Sequence, residues 1–175
     1  MNRAMDALLA SASEKSLITD ATIATSLDRS RALWKLRESI SEAQKPEGGS
    51  IKHDVSVPIA AIPEFIRRAN AIVEKICPGA RPVPFGHMGD GNVHYNVSQP
   101  QSMSRVAFLA LWETMNAAVH DLVVSLEGSI SAEHGIGRLK RAELARLKPA
   151  LELELMRRIK AAIDPLGIMN PGKVL

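Results

Sequence analysis

The stretch Pro84-Phe85-Gly86-His87-Met88-Gly89-Asp90-Gly91-Asn92-Val93-His94-Tyr95-Asn96 decides how this chain is read. Apolar residues flank a glycine-rich centre, which predicts two strands joined by a turn. Asp90-Gly91 is a strong hairpin dipeptide, because both central residues of a type I′ turn need φ > 0. With those two residues as the loop, Gly89 pairs with Asn92, Met88 with Val93 and His87 with His94. Directly paired side chains share a face, with Cβ atoms roughly 4.5–5.5 Å apart. Asn96 falls on that face too, since strand side chains alternate with period 2. Turn chemistry alone thus brings two imidazoles and a carboxamide together, in a metal-site or active-site geometry.

The surroundings are those of an ordinary globular chain of 175 residues, 46% hydrophobic and 23% charged. Aromatics are only 3%, so the core must be built from Leu, Ile, Val, Ala and Met. The net charge is +3, and basic residues are interleaved with acids, as in Arg138-Leu-Lys-Arg-Ala-Glu143. That pattern describes solvated helix faces and argues against a nucleic-acid partner, which would need a concentrated basic patch. Cys77 is the single cysteine. No intrachain disulfide can form, and its apolar helical setting makes it a core residue rather than a nucleophile. No apolar run approaches a membrane span, and Met1 to Asp20 lacks the pattern of a secretory signal. The expected location is cytoplasmic.

Outward from the hairpin, the patterning predicts helices over 3–15, from Asp28 as cap to 43, 63–76, from Ser104 as cap to 126, 139–147 and 149–163. It predicts strands over 17–24 and 51–57, and a short extended piece at 129–132. The chain starts in what reads as mid-helix, so it is expected to be a piece of something longer. Mixed elements with an antiparallel hairpin make this an α+β domain: a small antiparallel sheet with helices on one face, followed by C-terminal helices. One substrate or cap domain over 1–175 is expected, with 1–20 a truncated start and 138–175 the C-terminal helices and tail.

Several residues could carry chemistry. His87, His94 and Glu133 are the ligand set of an open catalytic zinc site, and would suit Mn²⁺ or Fe²⁺ as well. The alternative is a pair of ordinary hairpin histidines with Glu133 a surface carboxylate. Asp90 competes as a ligand but is assigned to the turn. His134 follows Glu133, and Gly135 and Gly137 permit a bend that aims both into one cleft, with His134 a general base; otherwise it is a loop histidine. Arg37 and Lys52 are cations suited to a carboxylate, or else solvated surface charges. Asn170 and Lys173 close the chain in a turn, where Lys173 is a cation available to a phosphate or flavin. There is no glycine-rich nucleotide fingerprint.

Five ordered motifs resemble one family: Trp34-Lys-Leu-Arg-Glu38, Lys52-His-Asp-Val-Ser-Val-Pro58, Pro84-Phe-Gly-His-Met-Gly-Asp-Gly-Asn-Val-His94, Ser131-Ala-Glu-His-Gly-Ile-Gly137 and Asp164-Pro-Leu-Gly-Ile-Met-Asn-Pro-Gly-Lys173. Together they look like the C-terminal half of the FAD-linked 2-hydroxy-acid dehydrogenases, of vanillyl-alcohol-oxidase type. That group contains the D-2-hydroxyglutarate and D-lactate dehydrogenases and the glycolate oxidase flavin subunit. The resemblance implies a ferredoxin-like cap domain and oxidation of a D-2-hydroxy acid to the 2-oxo acid. It implies a divalent metal, zinc, on His87, His94 and Glu133, with His134 as base. It implies Arg37, Lys52 and Asn96 on substrate, and Asn170 and Lys173 near FAD. Members carry an N-terminal FAD-binding domain that has no counterpart here. A truncated reading frame, a split-gene product or an excised domain would account for that, with FAD held mainly by a segment outside this chain or by a separate subunit. Alone, such a chain can hold metal and still lack activity. A homodimer and an external electron acceptor are the other expected partners. His53 departs from the pattern, standing where an aromatic such as Tyr is common. The rival reading is a non-catalytic metal- or carboxylate-binding α+β module.

Overall fold

The computed structural model of the chain describes residues 3–175. It divides into two compact units, parted between Ala43 and Gln44. The first contains α1 (Arg3–Glu14), α2 (Leu27–Glu38) and the single turn α3 (Ile40–Ala43). Ser16, at φ 53, closes α1 by letting Leu17 N–H reach back to the Ala12 carbonyl. The strand expected over 17–24 does not form. Its β-branched residues meet no partner strand, and β-propensity without a pairing edge specifies nothing. The cap of α2 is Ser26 rather than Asp28: Ser26 Oγ accepts from Arg29 N–H at 3.2 Å, and Asp28 lies in the first turn.

The second unit is built on β1 (Ser50–Ser56), α4 (Ile62–Ile76), β2 (Arg81–His87), β3 (Asn92–Ser98), α5 (Arg105–Leu109), α6 (Trp112–Ser125), α7 (Arg141–Leu147) and α8 (Ala150–Ile163). The sheet is antiparallel with strand order β1-β3-β2. Beyond α6, Ser129 bridges Ser56 on the outer edge of β1. The sequence β-α-β-β-α followed by a fourth extended piece beside β1 is the ferredoxin-like order. The fold is therefore α+β, with a small antiparallel sheet covered by helices on one face and helices at the C-terminal end.

Strand alternation sorts the two faces. Ile51, Val55, Val93, Tyr95 and Val97 turn to the helices and are fully or nearly fully buried. They meet Phe65, Ala69 and Val73 of α4 and Met115, Val119 and Val123 of α6, which recur at helical spacing. Burial of each such side chain stabilises by about 1.5–3 kcal/mol. Cys77 is part of this core, its thiol pushed up by burial and its Sγ 3.9 Å from Met103 Sδ. The helix expected from Ser104 to 126 is two. Ser104 caps α5 as foreseen, but the ladder tightens at Leu111, whose N–H goes to Phe108 three residues back, and α6 starts afresh. No helix among the described residues is long and apolar enough to cross a membrane.

The other face carries Lys52 and Asp54 of β1, Asn92, His94 and Asn96 of β3, and Phe85 and His87 of β2. This is the face on which the hairpin histidines lie. Their pairing differs from the sequence expectation: His87 is opposite Asn92, and His94 is opposite Phe85 on one side and Asp54 on the other. Four residues, Met88 to Gly91, make the connection. Asp90 Oδ1 accepts from Asn92 N–H at 3.0 Å in a side-chain turn, and Gly91 alone takes positive φ. Met88 and Gly89 thus leave the ladder, and Gly91 stays in the connection, where its carbonyl accepts from the N–H of Val57, just past β1, at 3.1 Å.

Candidate functional site

The site is assembled along the free edge of β1. Ser129 and Ser56 exchange both backbone hydrogen bonds, at 2.8 and 3.0 Å, and Ala132 N–H donates to the Asp54 carbonyl at 3.2 Å. The chain then turns over Asp54. Its Oδ2 accepts from the backbone N–H of both Glu133 and His134, at 2.9 and 2.8 Å. Lys140 Nζ ties the same segment down by donating to the Ile130 carbonyl at 2.7 Å. Burial alone would push the Asp54 carboxyl up. The N–H groups of His134 and Glu133, with the charges of His134 and Lys140, offset that and hold it below the usual carboxylate range.

Glu133 is thereby delivered to the two hairpin histidines. Its Oε1 lies 3.4 Å from His87 Nδ1 and its Oε2 lies 3.9 Å from His94 Nε2. The two imidazoles are edge to face, with centroids 6.2 Å apart. Asn92 Nδ2 donates to Glu133 Oε1 and fixes the carboxylate between them. On the far side of His94, Nδ1 lies 3.7 Å from Asp54 Oδ1. His134 Nδ1 lies 3.7 Å from Asp54 Oδ2, its ring 6.2 Å from that of His94. Phe85 walls the site, with its ring 5.1 Å from His94.

The donor set suits a divalent cation. Two imidazoles face the two oxygens of one carboxylate, and a second, buried carboxylate lies behind them. Ligand atoms of Asp54, His94 and Glu133 all fall within 4.8 Å of one another. His94 is largely buried, while His87, Glu133 and His134 open outward, leaving a coordination position accessible.

The remaining expected residues are placed as follows. Lys52 and Asn96 are paired in the β1–β3 ladder, one step along the same face from Asp54 and His94. Asn96 is buried, its Nδ2 donating to Gln44 Oε1 at 2.7 Å. Lys52 is exposed and lines a polar pocket of about 320 Å³ with Gln44, Lys45, Ser50 and Arg105. Asn170 and Lys173 lie in a tail that Val174 N–H fastens to the Gly137 carbonyl at 2.8 Å, next to the loop carrying Glu133 and His134. Between that tail and α8 is an apolar cavity of about 640 Å³ lined by Met156, Ile159, Ile163 and Met169, with Lys173 at its wall. Arg37 lies on α2 in the first unit. His53 points away from the site face into the core, where Nδ1 donates to the Tyr95 carbonyl at 2.8 Å. Asp54 and Asn92 were not foreseen. Both were within reach of period-2 alternation, each two residues from a residue already singled out on the same face.

The sequence profile of the FAD-linked oxidase C-terminal domain matches residues 1–174. The chain belongs to that family. Among curated relatives of this FAD-linked oxidase domain is D-2-hydroxyglutarate dehydrogenase of Stutzerimonas stutzeri, 40% identical over 161 residues, covering 92% of this chain and 34% of the relative. The mitochondrial D-2-hydroxyglutarate dehydrogenase of Danio rerio is 38% identical over 160 residues, covering 91% and 29%. That of Arabidopsis thaliana is 34% identical over 171 residues, covering 98% and 29%. The chain spans about a third of the length of these relatives.

Proposed function

We propose that this FAD-linked oxidase domain supplies the substrate- and metal-binding half of a dehydrogenase that oxidises a D-2-hydroxy acid to the 2-oxo acid. D-2-hydroxyglutarate is the first candidate, because the relatives quoted carry that name; D-lactate and glycolate are the others. The observation that carries the reading is the convergence of His87, His94 and Glu133, with His134 beside them, on one open face of the sheet.

His87, His94 and Glu133 would hold the metal, zinc by ligand type. When bound, the cation supplies Lewis acidity that lowers the pKa of a coordinated hydroxyl, and FAD supplies the acceptor for the C2 hydride. The chain's own residues do the rest. Lys52 would neutralise a substrate carboxylate, with Asn96, its partner in the ladder, the proposed polar contact; Arg37, on the first unit, is the other cation proposed for substrate. His134 would take the hydroxyl proton on Nε2, since its Nδ1 faces Asp54. Asn170 and Lys173 would be the residues of this chain nearest the flavin, which would be held mainly by a segment outside it.

The test is to purify the chain with and without an FAD-binding partner segment and to assay dye reduction with D-2-hydroxyglutarate and D-lactate. Metal content is read in parallel for His87→Ala and His94→Ala. Metal lost in both variants, and turnover only with the partner, support the reading. Unchanged metal stoichiometry in both variants would count against the hairpin metal site; no flavin uptake and no turnover in any combination would leave a non-catalytic binding module instead.

A further inference from the structure

We infer that Asp54 is the positioning residue of this site: one carboxylate oxygen fixes the Glu133–His134 backbone, and the other fixes the tautomer of His94. The side chain is 4% exposed and sits under the site rather than in its mouth. A buried carboxylate is costly unless its oxygens are engaged. Oδ2 is engaged by two backbone N–H groups, from Glu133 and His134. Oδ1 is buried without a hydrogen-bond partner and lies 3.7 Å from His94 Nδ1. That is an ion-pair distance, a few tenths of an ångström from hydrogen bonding.

The two nitrogens of His94 therefore face different carboxylates, Nδ1 toward Asp54 and Nε2 toward Glu133. The two carboxylates differ in what else satisfies them: Glu133 is half-exposed and accepts from Asn92 Nδ2, whereas Asp54 Oδ1 is buried with no hydrogen-bond partner. A carboxylate can only accept, so the proton is worth most on Nδ1, where it satisfies the buried Oδ1 and leaves the Nε2 lone pair toward the solvated side beside Glu133. Asp54 belongs to the same close group as His94 and Glu133, but in the inferred role it acts from behind: Oδ2 is held by the two backbone amides and Oδ1 faces the back of the imidazole. This inference rests on the proposed metal set for its purpose, but the tautomer stands on the geometry alone.

Asp54→Asn separates this role from simple packing. The carboxamide keeps one oxygen for the two backbone amides and turns its NH₂ toward His94 Nδ1, which must then accept, moving the proton to Nε2. The readout is the imidazole ¹⁵N spectrum of the metal-free chain at alkaline pH. Expected are Nδ1–H for His94 in the natural chain and Nε2–H in Asp54→Asn, with His87 unchanged. Zinc affinity should fall by about 10–100-fold in the variant. Asp54→Ala should additionally speed hydrogen exchange at the Glu133 and His134 amides. Finding Nε2–H in the natural chain, or the same tautomer in both, overturns the inference; if Asp54→Asn fails to fold, the natural chain's tautomer alone decides. A natural chain that binds no zinc but shows the inversion removes the metal reading and leaves Asp54's role intact.

Discussion

Asn92 Nδ2 donates to Glu133 Oε1 across 41 positions of chain. The hairpin thus supplies both the histidines and the amide that orients the carboxylate between them. Asn92 is buried, opposite His87 in one ladder and Ser56 in the other. Asn92→Ala should leave the sheet register intact and release Glu133. Removing such an orienting partner weakens metal binding by about 10–100-fold, measured as competition between the chain and a chelator for zinc. Unaltered affinity would mean that Asn92 serves the hairpin and not the site.

The two glycines of the hairpin connection should respond differently to substitution. Gly91 has φ +79, and a Cβ there would run into the Val57 carbonyl, whereas a Cβ at Gly89 meets nothing within 4 Å. Gly91→Ala must strain the backbone or break the Val57–Gly91 hydrogen bond, at a cost of about 1–3 kcal/mol. Gly89→Ala should be near neutral. Urea midpoints with unchanged m-values would show it; equal shifts for both would mean that the Val57 contact does not hold the connection.

That register marks the limit of what the sequence disclosed. Asp90-Gly91 has the chemistry of a two-residue turn, and nothing local says that the Gly91 carbonyl will meet Val57, far earlier in the chain. The face survived the misreading because the offset is two residues, and only an odd slip exchanges the faces of a strand. His87, His94 and Asn96 could therefore be put on one face from alternation alone, and Lys52 on the polar side of its own strand; that the two sides coincide comes from the β1–β3 pairing. Glu133 could not, since its place depends on the edge of β1 accepting Ser129 and on Asp54 capturing two amides. The strand expected over 17–24 failed for the same kind of reason: a β-rich run needs an edge, and an edge is a property of the fold.

The tail beside this loop should be governed by Asp164. Its carboxylate pairs with Lys160 and accepts from the Ile168 and Met169 N–H groups at 3.0 and 2.9 Å. The Lys160 charge, with those amides, holds it below the usual carboxylate range despite the opposing effect of burial. Asp164→Asn should speed hydrogen exchange at Ile168 and Met169 without changing the protection of β1 and β3. In the natural chain the same amides should keep their protection through the ordinary carboxylate range and lose it only at lower pH, where the depressed Asp164 carboxyl finally protonates. Protection unchanged by the substitution would place the anchoring of the tail elsewhere, in the Val174–Gly137 hydrogen bond.

His53 sets a second, higher pH window. Burial lowers its pKa from 6.5 to about 4, with the charges of His120 and Lys140 acting in the same direction and the Tyr95 carbonyl partly opposing. The folded chain keeps it neutral where the unfolded chain protonates it, so the unfolded state binds more protons and stability rises with pH. The contribution is fully present above about pH 6.5 and is lost as pH falls toward about 4, amounting to about 3 kcal/mol. His120, also lowered by burial, adds to the slope, while Asp54, Glu143 and Asp164, all held below their usual values, act only at lower pH. Chemical denaturation from pH 7 to 4 should therefore show stability already falling between about pH 6.5 and 5, above the range in which the lowered Asp54, Glu143 and Asp164 act. His53→Gln keeps a donor for the Tyr95 carbonyl and removes the titration, so it should be less stable at pH 7 yet lose less on acidification. An identical slope in the variant would assign the acid sensitivity to His120 and its partner Glu143 instead.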